Sequence, residues 1–431
     1  MRALVLGSGA REHAIVHALR DSPSVDGLYV APGNPGMETE AEILDLDLAD
    51  LEGVADAAEE LGIDLTVVGP EVPLAEGIGD VFARRELRLF GPVAAAAELE
   101  ASKVFAKEFC LRHSIPTAAA EIVRTADDAA RAARRFGFPV VLKADGLAAG
   151  KGVLIVGSQN ELAEALDDLF VNRRFGAAAD RVLVEECLEG PEVSFMVICD
   201  GTRIEAFATS HDYKRVGDGD SGPSTGGMGS HSPAFALSNT LREQILDTVI
   251  MPTVTGMAAE GREYRGILYA GLMLTADGPK VLEFNCRLGD PETQSVLRRL
   301  DGDLAAVLRD AADGRLQPGA LGWKTQVAVC VVLAAENYPG SPRVGDEITG
   351  LPEAEAMPGV VVFHAGTRRD AERLLTAGGR VLSVTAIGET LAGAVDLAYR
   401  AARRIRFDGA HLRSDIGVDT LNLQKIGKSV G

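Results

Sequence analysis

The segment Lys143-Ala-Asp-Gly-Leu-Ala-Ala-Gly-Lys-Gly-Val153 carries the most information in the chain. An apolar run over 140–143 ends in a lysine. A turn with three glycines follows, and a second lysine, Lys151, opens another apolar run over 152–156. Glycines let backbone N–H groups approach an anion closely, and the lysines add positive charge. This is not a Walker A loop, which needs GxxxxGK[ST] opening a helix; Gly152 and Val153 continue into a strand instead. On this segment alone, a glycine-rich hairpin with incidental lysines remains an open explanation.

Outward from it, helices are expected over 127–136 and 161–171 and a strand over 181–186, making a compact α+β unit. Ser102 is placed to N-cap a helix Lys103–Arg112, and Ile115-Pro116 ends it, because proline disfavours helix at the residue before it. Upstream, apolar strands at 3–6, 27–30, 65–68 and 87–90 alternate with helical stretches. That order predicts a parallel sheet, which binds ligands at the carboxyl ends of its strands. Two glycine-bearing strand ends lie there: Gly7-Ser8-Gly9 and Gly69-Pro70-Glu71. The first lacks the third glycine of GxGxxG, since Glu12 stands in its place, and it has no acidic partner at a second strand end. It reads as an anion turn at a helix N-terminus rather than a dinucleotide fingerprint. Downstream, RVGDGDSGPSTGGMGSHSP over 215–233 reads as a long stretch without regular structure, a feature usually functional or disordered. A helix over 241–257 and strands over 267–274 and 280–285 follow. Trp323 onward reads as a separate small α/β domain.

The chain has 431 residues, enough for two to four domains. With 46% hydrophobic and 25% charged residues it is globular rather than disordered or coiled-coil. The net charge of −20 repels phosphate backbones and argues against nucleic-acid binding, while a local cationic cluster can still hold a small anion. No apolar run reaches the ~20 residues of a membrane span, and MRALVLGSGAREHA reads as a first strand rather than a signal peptide. Five scattered cysteines without CxxC spacing argue against a disulfide framework or a zinc site. A cytoplasmic, reducing home is expected, with a monomer as the working assumption and an oligomer left open.

Two further clusters carry chemistry. An apolar strand ends in Glu185 and Glu186, followed by Leu188 and Glu192; backbone groups and an acid there suit a nucleoside, though a surface acidic cluster is the commoner explanation. On the strand 280–285, Glu283 and Asn285 share a face by the period of two, and Arg287 has the same parity. A hard divalent ion takes one or two such oxygens and shares its other positions with phosphates. An exposed strand end with a local salt bridge stays open as the alternative.

Taken in order, GSGAREHA, APGNPG, VGPE, LKADGLAAGKGV, EECLEGPEVSF, HDYKRVGDGDSGPSTGGMG, GLMLT, LEFNCRLGDPETQ and FHAGT resemble the glycinamide ribonucleotide synthetase (phosphoribosylamine–glycine ligase) family of the ATP-grasp superfamily. RLGDPETQ at 287–294 is the most specific of them. The resemblance covers nearly the whole chain, excepting about the last 15 residues. It implies an α/β and α+β multidomain protein. A parallel α/β domain would span 1–101, an ATP-grasp body 102–118 plus 191–320, a lid 119–190 and a small α/β domain 321–431. It further implies a ligase joining 5-phosphoribosylamine and glycine with ATP and Mg²⁺ or Mn²⁺. Lys103, Lys143 and the loop with Gly146, Lys151 and Gly152 would meet the ATP phosphates. Glu185, Glu186 and Leu188 would line the adenine pocket, with Glu192 at the ribose. Glu283 and Asn285 would hold the metal, and Arg287 would face the transferred phosphoryl group. Gly9, Glu12 and Glu71 would approach the ribosyl substrate, and Asp212, Lys214 and Asp290 would belong to the substrate pocket. Lys143, Arg287 and Asp290 are the residues expected to be catalytic. Many ATP-grasp enzymes carry a further acidic metal ligand on the preceding strand, where this chain reads Gly271-Leu272-Met273.

Overall fold

A computed structural model describes residues 1–147, 152–234 and 237–425. The amino-terminal sheet has five parallel strands in the order Glu42–Ile43, Gly27–Pro32, Arg2–Gly7, Leu65–Val68, Leu89–Phe90. Its central strands are apolar runs buried on both faces, as crossover helices require. Helix Ala10–Arg20 starts at the carboxyl end of the first strand, after Gly7, whose φ of +127° opens the turn.

The unit around the opening segment is a four-stranded antiparallel sheet, Ala120–Val123, Val182–Glu186, Val140–Ala144, Val153–Val156. Alternation divides its residues. Val140, Leu142, Ala144, Val182 and Val184 pack under helices Ala126–Phe136 and Gln159–Leu166 as a core of their own. Val141, Lys143, Leu183 and Glu185 point the other way, into a cleft. The expected helix over 161–171 is helical throughout, α over Gln159–Leu166 and a wider π turn over Asp167–Val171.

A second antiparallel sheet, Ile204–Ala206, Glu192–Asp200, Arg265–Thr275, Gly278–Asn285, forms the facing wall. Its last pair skips Leu282, leaving a bulge between Glu283, paired with Gly271, and Val281, paired with Leu272. The freed Leu282 carbonyl accepts a hydrogen bond from Lys143 Nζ at 2.8 Å, which ties one wall to the other. Helix Lys103–Arg112 is capped by the Ser102 hydroxyl, which accepts from Phe105 N at 3.0 Å.

The structure corrects two expectations. The glycine-rich stretch is not bare loop: it holds strands Arg215–Gly217, Ser221–Ser224 and Gly229–Ser232. Nor is the carboxyl-terminal sheet separate from what precedes it. Its order is His211–Asp212, Gly229–Ser232, Val327–Ala334, Arg380–Gly388, Val360–His364, so two strands come from before residue 321. The reason is close packing. A Cβ on Gly229 would sit 2.6 Å from the Cys330 carbonyl oxygen, so only glycine lets this strand pair there. The glycines that resemble linker composition serve a buried contact.

Candidate active site

The three sheets and the amino-terminal turns enclose one cleft of about 780 Å³. One part of its lining is apolar, from Val141, Ile155, Leu183, Leu188 and Val281. The other bristles with charge, from Lys103, Lys143, Lys214, Glu283, Arg287 and Arg11.

Lys143 reaches across from the lid strand with its Nζ 2.7 Å from Glu185 Oε2. Lys107 lies 3.0 Å from the other oxygen of that carboxylate and also donates to Thr117 Oγ1 and the Ala118 carbonyl. Burial pushes the Glu185 carboxyl up, but Lys143 and Lys107 together hold it below the usual range. The Glu185 carboxylate is therefore committed to two lysines, which limits what it can offer a ligand. Glu186 lines the cleft at the strand's end, its Oε1 accepting from Ala119 N at 2.9 Å. Lys103 donates to the Gly146 carbonyl at 2.7 Å, and burial lowers its pKa. Lys151 lies outside the described residues.

Glu283 is partly exposed, and its carboxyl is held below the usual range chiefly by Lys214, with Lys143, Lys103 and Arg287 adding to the effect. Lys214 sits 3.5 Å from Glu283 Oε1 and 3.4 Å from Glu192 Oε2. Burial works against the Lys214 cation, yet Glu192 and Glu283 raise its pKa. Asn285 lines the cleft beside Glu283, is buried, and makes no side-chain hydrogen bond among the described residues. Among those residues no cluster of three or more His, Cys, Asp or Glu could cage an ion. The all-oxygen pair Glu283 and Asn285 still fits a hard cation shared with phosphates. Gly271 lies opposite Glu283, where a Cβ would come 3.2 Å from Glu283 Cγ, so that strand contributes no carboxylate.

Arg287 is clasped by Glu71 at 3.3 Å and Glu100 at 3.1 Å. Burial opposes its charge, and the two carboxylates more than offset that. Asp290 pairs with Arg380 at 2.9 Å and accepts from Gln294 Nε2 at 2.7 Å. Burial raises its pKa, and Arg380 brings it below the ordinary value. Asp212 faces the cleft with one carboxylate oxygen buried and without a hydrogen-bond partner among the described residues; burial first, then Glu292, pushes its pKa well up. Gly9 and Glu12 are not among the residues that line the cleft. Glu12 accepts from Gly9 N at 2.7 Å and from Arg11 Nε at 2.5 Å, closing its own turn, and Arg11 is the residue of that turn that lines the cleft.

Thus the structure brings Lys103, Lys143, Gly152, Glu185, Glu186, Leu188, Glu192, Glu71, Asp212, Lys214, Glu283, Asn285, Arg287 and Asp290 to one cleft. Sequence reasoning missed Arg11, Glu100, Lys107 and Arg380. Lys107 had a signal, four residues after Lys103 and hence on the same helical face. Glu100 and Arg380 had none.

The comparisons with known proteins agree with this geometry. Structures sharing only 16–17% identity already superpose over most of the chain. The biotin carboxylase from Campylobacter jejuni covers 95% of this chain and 93% of that one with a TM-score of 0.70. The 2-oxoglutarate carboxylase biotin carboxylase domain of Hydrogenobacter thermophilus, solved with MgADP, gives 0.71 over 98% and 94%. A family model for an ATP-grasp domain matches residues 101–293. The fold and cleft therefore define an ATP-grasp enzyme. That model is the phosphoribosylglycinamide synthetase ATP-grasp (A) domain, and the family's N and C domain models match 1–100 and 328–419. Phosphoribosylamine–glycine ligase of Ralstonia nicotianae is 49% identical over 97% of this chain and 99% of its own. The crystal structure of the Thermotoga maritima phosphoribosylamine–glycine ligase is 34% identical, covers 96% of this chain and 100% of that one, and gives a TM-score of 0.83. The chain belongs to the phosphoribosylglycinamide synthetase family, whose members are ATP-dependent ligases.

Proposed function

We propose that this chain joins 5-phosphoribosylamine and glycine with ATP, giving glycinamide ribonucleotide, ADP and phosphate in purine synthesis. The observation that carries the reading is the convergence of Lys103, Lys143, Lys214, Glu283 and Asn285 on one cleft in a member of this family. A carboxylate acylates poorly because attack must expel an oxide. A glycine carboxylate oxygen therefore attacks the γ-phosphorus of ATP, the bond to the bridging oxygen breaks, and ADP leaves. The amine nitrogen of phosphoribosylamine then attacks the carbonyl carbon of glycyl phosphate. The C–O bond to phosphate breaks, and the nitrogen loses a proton. Positioning and charge neutralisation account for most catalysis of phosphoryl transfer.

In this reading Lys103, Lys143, Gly146, Lys151 and Gly152 hold the phosphates, and Arg287 steadies the transferred group. Glu283 and Asn285 hold Mg²⁺ or Mn²⁺, which neutralises phosphate charge when bound. Glu186 and Leu188 border the adenine, Glu185 orients Lys143 and Lys107, and Glu192 meets the ribose. Glu71 approaches the ribosyl substrate, with Gly9 and Glu12 supporting that turn. Asp212, Lys214 and Asp290 shape the glycine and amine end. The lid 119–190 closes on the body, and 1–101 and 321–431 complete the enclosure. Among the described residues no helix is long and apolar enough to cross a membrane. We place the enzyme in the cytoplasm as a monomer; the five free cysteines accord with a reducing compartment.

Phosphate release measured with each substrate omitted in turn tests the proposal. Full release requires ATP, phosphoribosylamine and glycine together. Equal release with formate or bicarbonate in place of glycine would overturn it.

A further inference from the structure

Resting on that reading, we propose that the carboxyl-terminal segment 411–419 is a clamp that holds the glycine-rich hairpin 215–224 and the strand His211–Asp212 over the cleft. Arg413, Asp415 and Asp419 are its positioning residues, and the clamp couples ATP cleavage to amide formation.

The hairpin has little to hold itself. It pairs at Arg215 with Ser224 and at Gly217 with Ser221, and none of its residues belongs to a hydrophobic cluster among the described residues. An isolated two-stranded hairpin is marginal in water. What fixes it is the chain's distant end. Arg413 is 1% exposed and donates to Asp220 Oδ1 at 2.6 Å, to the Arg215 carbonyl at 3.2 Å and to both oxygens of Asp415 at 2.7 and 2.8 Å. Its guanidinium lies 5.0 Å from the Tyr213 ring centroid. Asp415 also accepts from Gly219 N at 2.8 Å, so one carboxylate orients the arginine and grips the turn. Ser414 N donates to Asp218 Oδ1 at 2.8 Å, and His411 Nε2 donates to the Val216 carbonyl at 2.8 Å.

The grip extends to the residues that face substrate. The Tyr213 hydroxyl donates to Asp419 Oδ1 at 2.5 Å and accepts from Gly417 N at 2.9 Å. Tyr213 stands between Asp212 and Lys214, both of which line the cleft, as do His211, Asp220 and Asp419 themselves. The clamp thus anchors a strand and a hairpin whose inner sides roof the amine end. An acyl phosphate survives only where water is excluded. With the roof loose, water in place of the amine attacks glycyl phosphate, returning glycine and phosphate with no amide formed.

The test compares the whole enzyme with Asp415→Asn and Arg413→Lys, and with Asp218→Asn as a milder surface variant that keeps Arg413 intact. The readouts are phosphate released per amide formed and hydrogen exchange of 215–224. The unaltered enzyme gives one phosphate per amide. Asp415→Asn and Arg413→Lys are expected to raise this ratio roughly threefold or more while ATP cleavage continues, and to expose the hairpin amides. A ratio that stays at one in all three, with full glycine-dependent cleavage, overturns the clamp. So does unchanged hairpin protection in Asp415→Asn, a result independent of catalysis. Failure of the unaltered enzyme to release phosphate in response to glycine and amine would instead overturn the function on which the clamp rests.

Discussion

Two covers lie over this cleft, and they are built in opposite ways. The lid sheet has its own apolar core, with Leu142, Val182 and Val184 fully buried between its strands and helices. Among the described residues its polar links to the body include Lys143 to the Leu282 carbonyl, Lys103 to the Gly146 carbonyl, Lys107 to Glu185, Lys280 to Glu186, and Asp145 accepting from Ser102 Oγ and Val104 N. The hairpin 215–224 has no core and is fastened at its rim by the carboxyl-terminal residues. A unit with a strong interior and weak ties moves as a rigid body. A unit with a weak interior and strong ties stays where it is put. In the proposed function this difference fits opening and closing by the lid and enclosure by the hairpin.

The largest expected effect tests the chemistry beneath both covers. Glu283→Ala should lower kcat by ~10²–10³-fold, because charge stabilisation of developing phosphate charge is lost. The side chain is partly exposed and packs into no core, so melting temperature and hydrogen exchange of both covers should stay unchanged. Near-normal turnover would remove Glu283 from metal binding. The next effect separates the covers. Leu142→Ala should cost the lid about 2–5 kcal/mol through the lost methyl groups and the cavity left behind. Exchange protection across 120–186 should fall and the KM for ATP rise, with protection of 215–224 intact. Loss of protection in both would mean that they are one cooperative unit.

What the sequence made legible follows the same division. Where a feature is local, the residues announce it. Ser102 caps Lys103–Arg112, alternation puts Lys143 and Glu185 on the cleft face, and parity aligns Glu283 with Asn285. The lid and the strand that carries Glu283 and Asn285 are therefore readable from short windows. Where a feature is made by distant pairing, nothing local marks it. Arg380 meets Asp290, 90 residues away, and donates to the carbonyl of Gly226, 154 residues away. Glu100 closes on Arg287 from a helix end that carries no motif. The hairpin was the hardest case, since its glycines and aspartates signal disorder in sequence, while in space the aspartates are partners for Arg413 and Ser414.

Acid should separate the anchoring of the hairpin from another interface. His364 in the carboxyl-terminal sheet donates its backbone N–H to His13 Nδ1 at 2.9 Å, joining that sheet to the first helix. Burial lowers the His364 pKa to about 4 from an ordinary 6.5. Above pH 6.5 neither folded nor unfolded state binds the proton and nothing is lost. As pH falls from 6.5 toward 4 the unfolded chain protonates first, so stability declines, on the order of 1–3 kcal/mol. Asp415 is also shifted down, but from a lower ordinary value and in favour of its charged form: burial raises its pKa, and its hydrogen bond to Arg413 leads a group of contacts that bring it below the ordinary 3.8. Its contribution is present above pH 3.8 and is lost only as pH falls below that. Thermal melts from pH 7 to 4 should therefore decline while hairpin protection holds. A His364→Gln variant should lessen that decline, the remainder coming from His13 and His231, whose burial also lowers their pKa, and hairpin exposure already at pH 5 would contradict the assignment.

The smallest expected effect probes whether the lid's rigidity is its own. Ser158 caps the helix Gln159–Leu166, its hydroxyl accepting from Glu161 N, while Glu161 returns a carboxylate to Gly157 N at 2.9 Å. Ser158→Ala removes one side of this reciprocal cap, with an expected cost of ~1 kcal/mol. Because the cap lies on the lid's outer surface, away from the cleft, that loss should stay within the lid's own opening equilibrium. Local exchange in 153–166 should quicken about fivefold, the rate factor that ~1 kcal/mol carries, with kcat and coupling unchanged. A change in kcat would show that lid closure, rather than the chemistry beneath it, sets the turnover rate, because only then does a cap this far from the substrates reach the measured rate.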